Sequence, residues 1–185
     1  MSSSTPPTSV GCCQTTGPDG SLGWDPTFAE AWIGLLQAHR QLTRELDARL
    51  EAEHGLSLSG LELLARLTAA PDNWLRLSSL AAQTGLSLSR VSRIVDALED
   101  RRLVERQPCP ADARAINANL TPAGADLLRQ AEQTHRAMVQ QSFFDHLSVA
   151  EVETLAAVFA RFAPGAAKAC SATAGAAPEP VSTRP

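Results

Sequence analysis

The sequence predicts a mainly α-helical fold carrying a small β-hairpin, and three observations predict it. Apolar residues recur at helical spacing in successive stretches between residues 25 and 163. Two segments between residues 103 and 120 instead alternate, on either side of a proline-containing turn. A tight turn at Gly85 separates a short helical pattern from a longer one. With 185 residues, 44% of them apolar and 19% charged, the chain has the composition of one ordinary globular domain. At that length it can bury a sizeable core, and a second full domain is not expected.

Residues 1–24, rich in Ser, Thr, Pro and Gly, read as a flexible tail, as do the Ala, Pro, Ser and Thr of residues 164–185. Asp25-Pro26 is a helix start, an N-cap followed by proline in the first turn, and Phe28, Trp32, Leu35, Leu36, Leu42, Leu46 and Leu50 follow at helical spacing. This helix is expected to stop near His54-Gly55. Ser59-x-x-Glu62 has the form of a capping box that opens a second helix, ending at about Thr68 before Pro71. Leu75-Arg76-Leu77 reads as extended, and Ser78 to Thr84 as a short helix closed by Gly85. Ser87 then caps a longer helix reaching about Arg102.

In that longer helix Val91, Ile94, Val95 and Leu98 share a narrow arc and form the core face. Ser89 and Arg93 point the opposite way, with Arg90, Ser92 and Asp96 flanking them. Leu103 to Gln107 alternates as a strand, Pro108 to Arg114 reads as a long turn, and Ala115 to Leu120 alternates again. Thr121-Pro122 opens another helix with Leu127, Leu128, Ala131, Met138 and Phe143 on one stripe. Ser148-x-x-Glu151 is a second capping box, with Leu147 and Val152 placed as a hydrophobic staple. Val152, Leu155, Phe159 and Phe162 form the last stripe.

A short helix, a tight turn, a longer helix with a polar and cationic outer face, and a hairpin together form the winged helix-turn-helix pattern. The N-terminal part of such a second helix enters a major groove, where hydroxyls and the positive helix end bind phosphates. Arginine there offers guanine O6 and N7 two parallel hydrogen bonds. Ser87, Ser89, Arg90, Ser92 and Arg93 fit those roles, and Arg114 at the hairpin tip suits a narrow minor groove. The alternative for Arg93 is an intrachain pair with Asp96 or Glu99. Arg114 could likewise pair with Asp112, and Arg106 could touch phosphate or line a pocket.

These residues resemble the MarR (multiple antibiotic resistance regulator) family over roughly residues 25–163. Leu77-Ser78-Ser79-Leu80-Ala81 is similar to the family's helix start and Ser92 to Glu99 to the end of its recognition helix. Leu103-Val104-Glu105-Arg106 is similar to its first wing strand, Asp112-Ala113-Arg114 to its DxR wing signature, and Leu120-Thr121-Pro122-x-Gly124 to its exit into the next helix. Five motifs in the right order are far more specific than any one of them. The resemblance implies a winged helix-turn-helix lobe over about residues 58–120 and dimerisation helices over about 25–54 and 121–163. It also implies a homodimer on a pseudo-palindromic duplex operator, usually repressing until a small ligand releases it. In the family the counterpart of Arg114 reaches the minor groove and that of Asp112 helps hold the wing.

MarR relatives bind anionic aromatic ligands, which implies an aromatic acid or phenol as effector and draws on Trp32, His39, Arg40 and Glu62, with Arg106 as a further candidate. The plainer reading makes Trp32 dimer core and pairs His39 and Arg40 at the surface. Glu62, Arg93 and Arg106 match the acid and arginines of urate-sensing relatives, without a matching tryptophan. A thiol sensor is the alternative regulatory reading, with Cys109 in the wing the best placed of four cysteines, ahead of Cys12, Cys13 and Cys170. A helical interaction module that does not bind DNA is the other.

Enzyme classes are excluded, because phosphate loop, nucleophile elbow and dinucleotide fingerprint motifs are missing and the four histidines are scattered. No cofactor is expected. Glu51 with His54, and Glu132 with His135, have metal-pair spacing, but such pairs arise by chance on charged helices, and no metal site is expected. Met1 to Ser9 carries neither cation nor apolar run, and no stretch reaches a membrane-span length, so a cytoplasmic protein is expected. The formal charge is −4, which excludes a generic polyanion coat, yet it is unevenly distributed. Residues 1–74 carry −5, residues 115–185 carry −1, and residues 75–114 carry +2.

Overall fold

The structure, a computed structural model, describes residues 14–16, 22–109 and 112–162. The tail expected at residues 164–185 lies outside them. Within residues 1–24 two short strands, β1 (Gln14–Thr16) and β2 (Leu22–Trp24), pair antiparallel, with Gln14 opposite Trp24. Asp25 caps the next helix as its sequence predicts: its Oδ1 accepts from the Thr27 N–H at 2.9 Å and its carbonyl from the Ala29 N–H. That helix, α1 (Pro26–His54), carries the boundary between two compact units, between Arg44 and Glu45. In the first unit the rings of Trp24 and Trp32 lie 6.3 Å apart at a tilt. Phe28, Trp32, Ile33, Leu35 and Leu36 are all substantially exposed there.

The second unit holds the end of α1 and everything after it. Gly55, at φ +59°, ends α1 in the left-handed region, where a side chain would be strained. The next helix, α2 (Leu58–Thr68), starts two residues earlier than a cap at Ser59 would place it. Its N-cap is Ser57, whose hydroxyl accepts from the Gly60 N–H at 3.1 Å, while Asp47 Oδ1 accepts from the Leu58 N–H at 2.7 Å. Ser59 sits inside the first turn, and Glu62 pairs with Arg66 on the next turn rather than reaching back to the cap. Leu61, Leu63, Leu64 and Leu67 are buried, which makes α2 the centre of the core.

The extended piece after α2 is a true strand, β3 (Trp74–Arg76), and it joins the hairpin rather than standing alone. The strands β4 (Val104–Cys109) and β5 (Asp112–Leu120) complete a three-stranded antiparallel sheet in the order β3-β5-β4, with Trp74 opposite Asn119 and Val104 opposite Leu120. The long turn expected over Pro108 to Arg114 is therefore corrected: paired strand runs to Cys109 and resumes at Asp112. Pro108 is tolerated because β4 is an edge strand, where a missing N–H leaves no ladder bond unmade, and the register shifts between Pro108 and Cys109.

Between these strands lie α3 (Leu77–Thr84) and α4 (Leu88–Asp100), joined through Gly85 at φ +69° and capped by Ser87. A Schellman closure ends α4: Leu103 N–H donates to the Leu98 carbonyl and Arg102 N–H to that of Glu99, with Arg102 at φ +58°. After the sheet, Thr121 caps α5 (Pro122–Ser142), accepting from the Gly124 N–H at 3.0 Å. A Cβ on Gly124 would stand 2.1 Å from the Leu103 carbonyl oxygen, so only glycine allows this approach. On α5, burial and the nearby Arg136 push His135 below the ordinary imidazole range, against the pull of Glu132.

The second capping box is formed as expected ahead of α6 (Val149–Phe162). Ser148 donates through both its N–H and its hydroxyl to Glu151, and these bonds hold the Glu151 carboxyl below its usual range. No residue of α6 is buried, and Phe159 and Phe162 are exposed.

The position of the α2 cap is directly testable. Ser57→Ala is expected to cost about 1 kcal/mol, since it orphans the Gly60 N–H, whereas Ser59→Ala should stay within about 0.5 kcal/mol. Urea denaturation of the two variants checks this, and equal losses would return the cap to Ser59.

Candidate nucleic-acid interface

Burial divides α4 lengthwise. Val91, Val95 and Leu98 are buried and Ile94 packs against the core, as their spacing predicts. The opposite side leaves Ser87, Ser89, Arg90 and Arg93 exposed and Ser92 half-buried. Ser87 Oγ accepts from the Arg90 N–H at 3.3 Å and lies 3.2 Å from Ser89 Oγ, so the two hydroxyls stand together at the helix start. Leu88, which the sequence reading passed over, is exposed between them.

The expected competition for Arg93 is resolved by another residue. Asp96 and Glu99, its candidate partners, are both taken by Arg106 of β4. Arg106 Nη1 donates to Asp96 Oδ1 and, at 3.0 Å, to Glu99 Oε2. Its Nη2 donates to the carbonyl and hydroxyl of Ser92, at 2.9 and 3.2 Å, and its backbone N–H to Glu99 Oε1 at 3.0 Å. Burial alone would lower the Arg106 pKa, but hydrogen bonds to Asp96 and Glu99, with their charges, outweigh it and raise the value. Arg106 thus ties the first wing strand to α4. Among the described residues no ion pair engages Arg90 or Arg93, whose guanidinium groups face solvent.

The other end of α4 is also tied down. Arg101 follows its last turn and donates from Nη2 to the His54 carbonyl at 2.9 Å and from Nη1 to the Gly55 carbonyl. A cation there satisfies two carbonyls that the end of α1 leaves unpaired. Arg90, Arg93 and Arg101, with Glu51, Leu56 and Ile94, line a cleft of about 550 Å³ beside α4. Sequence spacing gave no sign of it, because it assembles from three separate elements.

The remaining expected site residues are distributed as follows. Asp112 and Arg114 take positions on β5 of the wing, with side chains outside the described residues, as is that of Cys109. Trp32, His39 and Arg40 lie exposed on the part of α1 in the first unit. Glu62 pairs with Arg66 in the second, and neither Glu62 nor Arg106 lines the cleft beside α4. Of the two metal-like pairs, Glu132 bonds Arg136, and His54 Nε2 donates to Thr134 Oγ1 at 2.9 Å while that hydroxyl donates to Glu53.

Comparison with known proteins places these features in a family. The family model described as MarR family matches residues 54–115. Sco3205 of Streptomyces coelicolor, a MarR family transcriptional regulator solved in complex with DNA, is 30% identical, covering 77% of this chain and 90% of its own, with a TM-score of 0.71. AbsC, a MarR family transcriptional regulator of the same organism, is 30% identical over 77% of this chain and 95% of its own, with a TM-score of 0.70. The transcriptional regulator BldR of Sulfolobus solfataricus, 24% identical over 73% of this chain and 96% of its own, has a TM-score of 0.62 and bears on the fold alone. No curated protein sequence matches.

Removing Arg106 strands two carboxylates and frees the wing. Arg106→Ala is expected to lower stability by about 1–3 kcal/mol, and to speed amide exchange in β4 and β5, whereas Arg93→Ala should change stability by less than about 0.5 kcal/mol. Denaturant titration with hydrogen exchange measures both, and a neutral Arg106→Ala would remove the tie.

Proposed function

Since the chain belongs to the MarR family of transcriptional regulators, we propose that it acts as a homodimeric repressor, docking α4 and the wing on a pseudo-palindromic duplex and leaving it when a small anionic aromatic ligand binds. The observation that carries the DNA contact is the pair Arg90 and Arg93 on the exposed side of α4, which no ion pair engages among the described residues while Arg106 occupies Asp96 and Glu99. Unpaired guanidinium groups beside clustered hydroxyls are what a phosphate backbone and guanine edges require. A relative 30% identical to this chain was solved on DNA, which supports the same partner here.

Each side chain has a role in this reading. Ser87, Ser89 and Ser92 bind phosphate oxygens at the helix start, and Arg90 and Arg93 reach base edges in the major groove. Arg114 enters the minor groove from the wing, and Asp112 holds the wing strand. The exposed apolar side chains of α1, Phe28, Trp32, Ile33, Leu35 and Leu36, and of α6, Val149, Phe159 and Phe162, support a second copy as their cover. For the effector, Trp32 and His39 share a face of α1, seven residues apart, with Arg40 beside them. An aromatic carboxylate stacked on the indole would pair with that histidine or arginine. No helix among the described residues is long and apolar enough to cross a membrane.

Fluorescence anisotropy on the DNA upstream of the protein's own gene tests this directly. Arg114→Ala is expected to weaken binding at every salt concentration while size-exclusion chromatography still shows a dimer, and Arg93→Ala to lose about 1–3 kcal/mol of discrimination at one base pair. Unchanged affinity for Arg114→Ala would remove the wing from the interface, and equal loss on all sequences would make Arg93 a phosphate contact.

A further inference from the structure

Leu88 opens α4 and stands one turn before Val91 and two before Val95, on the stripe that forms the core face. Those two valines are fully buried, yet Leu88 is 54% exposed, because the core ends before the stripe does. An isolated surface leucine is ordinary; this one lies between the exposed Ser87 and Ser89 and two residues from the unpaired Arg90. Side chains at the N-terminal end of a groove-entering helix are the ones that meet base edges. Most of what a major-groove edge offers is polar, and pressing an isobutyl group on it would strip water from donors and acceptors without replacing their bonds. The exception is the C5-methyl group of thymine, which gains from apolar contact.

We propose that Leu88 is a specificity-determining residue that packs on a thymine C5-methyl group in the major groove, giving each half-site a required thymine near the start of α4. The proposal rests on the DNA-binding reading above and adds to it a sensitivity to the thymine methyl group, which Arg90, Arg93 and the serines do not supply. Arginine accounts for guanine, and Leu88 accounts for thymine at a neighbouring position.

The test uses the full-length protein and the duplex it enriches from a random-sequence library. Each thymine of a half-site is replaced in turn by deoxyuridine, which removes the methyl group and leaves every hydrogen-bonding atom in place. At one position the wild-type protein is expected to lose about fourfold in affinity, the worth of one buried methyl-sized group. Leu88→Ala should lose a similar factor on the thymine duplex and nothing further on the deoxyuridine duplex. The proposal is overturned if no deoxyuridine substitution matters, if Leu88→Ala responds to it as the wild type does, or if the enriched half-site lacks thymine. Should no duplex be enriched, the DNA-binding reading itself fails, a result distinct from tight binding that ignores the methyl group.

Discussion

Burial of one side of α4 is the constraint on which the other features depend. Val91, Val95 and Leu98 anchor the helix to the leucine cluster of α2, and each fully buried side chain of this kind contributes about 1.5–3 kcal/mol. Rolling α4 about its axis would expose those side chains and bury the hydroxyls and guanidinium groups of its other face, so both terms oppose it. The outer face is thus presented by the core, and its residues owe their position to side chains they never touch.

Two arginines that bond within the fold fix the remaining freedom of the helix. Arg101 ties its last turn to the carbonyls of His54 and Gly55, and Arg106 ties its middle to the first wing strand. The second tie has an electrostatic consequence as well. By occupying Asp96 and Glu99, Arg106 leaves Arg90 and Arg93 with their charge undiminished, and residues 75–114 are the only one of the three segments with net positive charge in a chain of −4. A protein negative overall can approach DNA in this way through one surface, while its acidic remainder disfavours other orientations.

Where function depends on local spacing, the sequence was readable. The caps at Asp25, Ser87, Thr121 and Ser148 bond the backbone within a few residues, so the pattern that predicts them is the interaction itself. The Ser59-x-x-Glu62 pattern misled because the true start of α2 is set partly by Asp47, eleven residues upstream, which no local motif records. Pro108 looked like a chain break because proline is excluded from central strands, and only the pairing of Trp74–Arg76 with Asn117–Asn119 shows that β4 lies at the edge. The tie made by Arg106 was hidden for the same reason, since its partners lie seven to fourteen residues away and meet it only through the fold. Leu88 is invisible to the sequence pattern because a leucine at core spacing carries no mark of where the core ends.

Whether the outward side of α4 together with the wing forms the proposed DNA surface is read from hydrogen exchange of the full-length protein with and without the duplex it enriches. Bound DNA is expected to slow exchange over residues 87–93 and along β4 and β5, and to leave α6 unchanged. Protection confined to α1 or α6, with the α4 start exchanging as in the free protein, would contradict it.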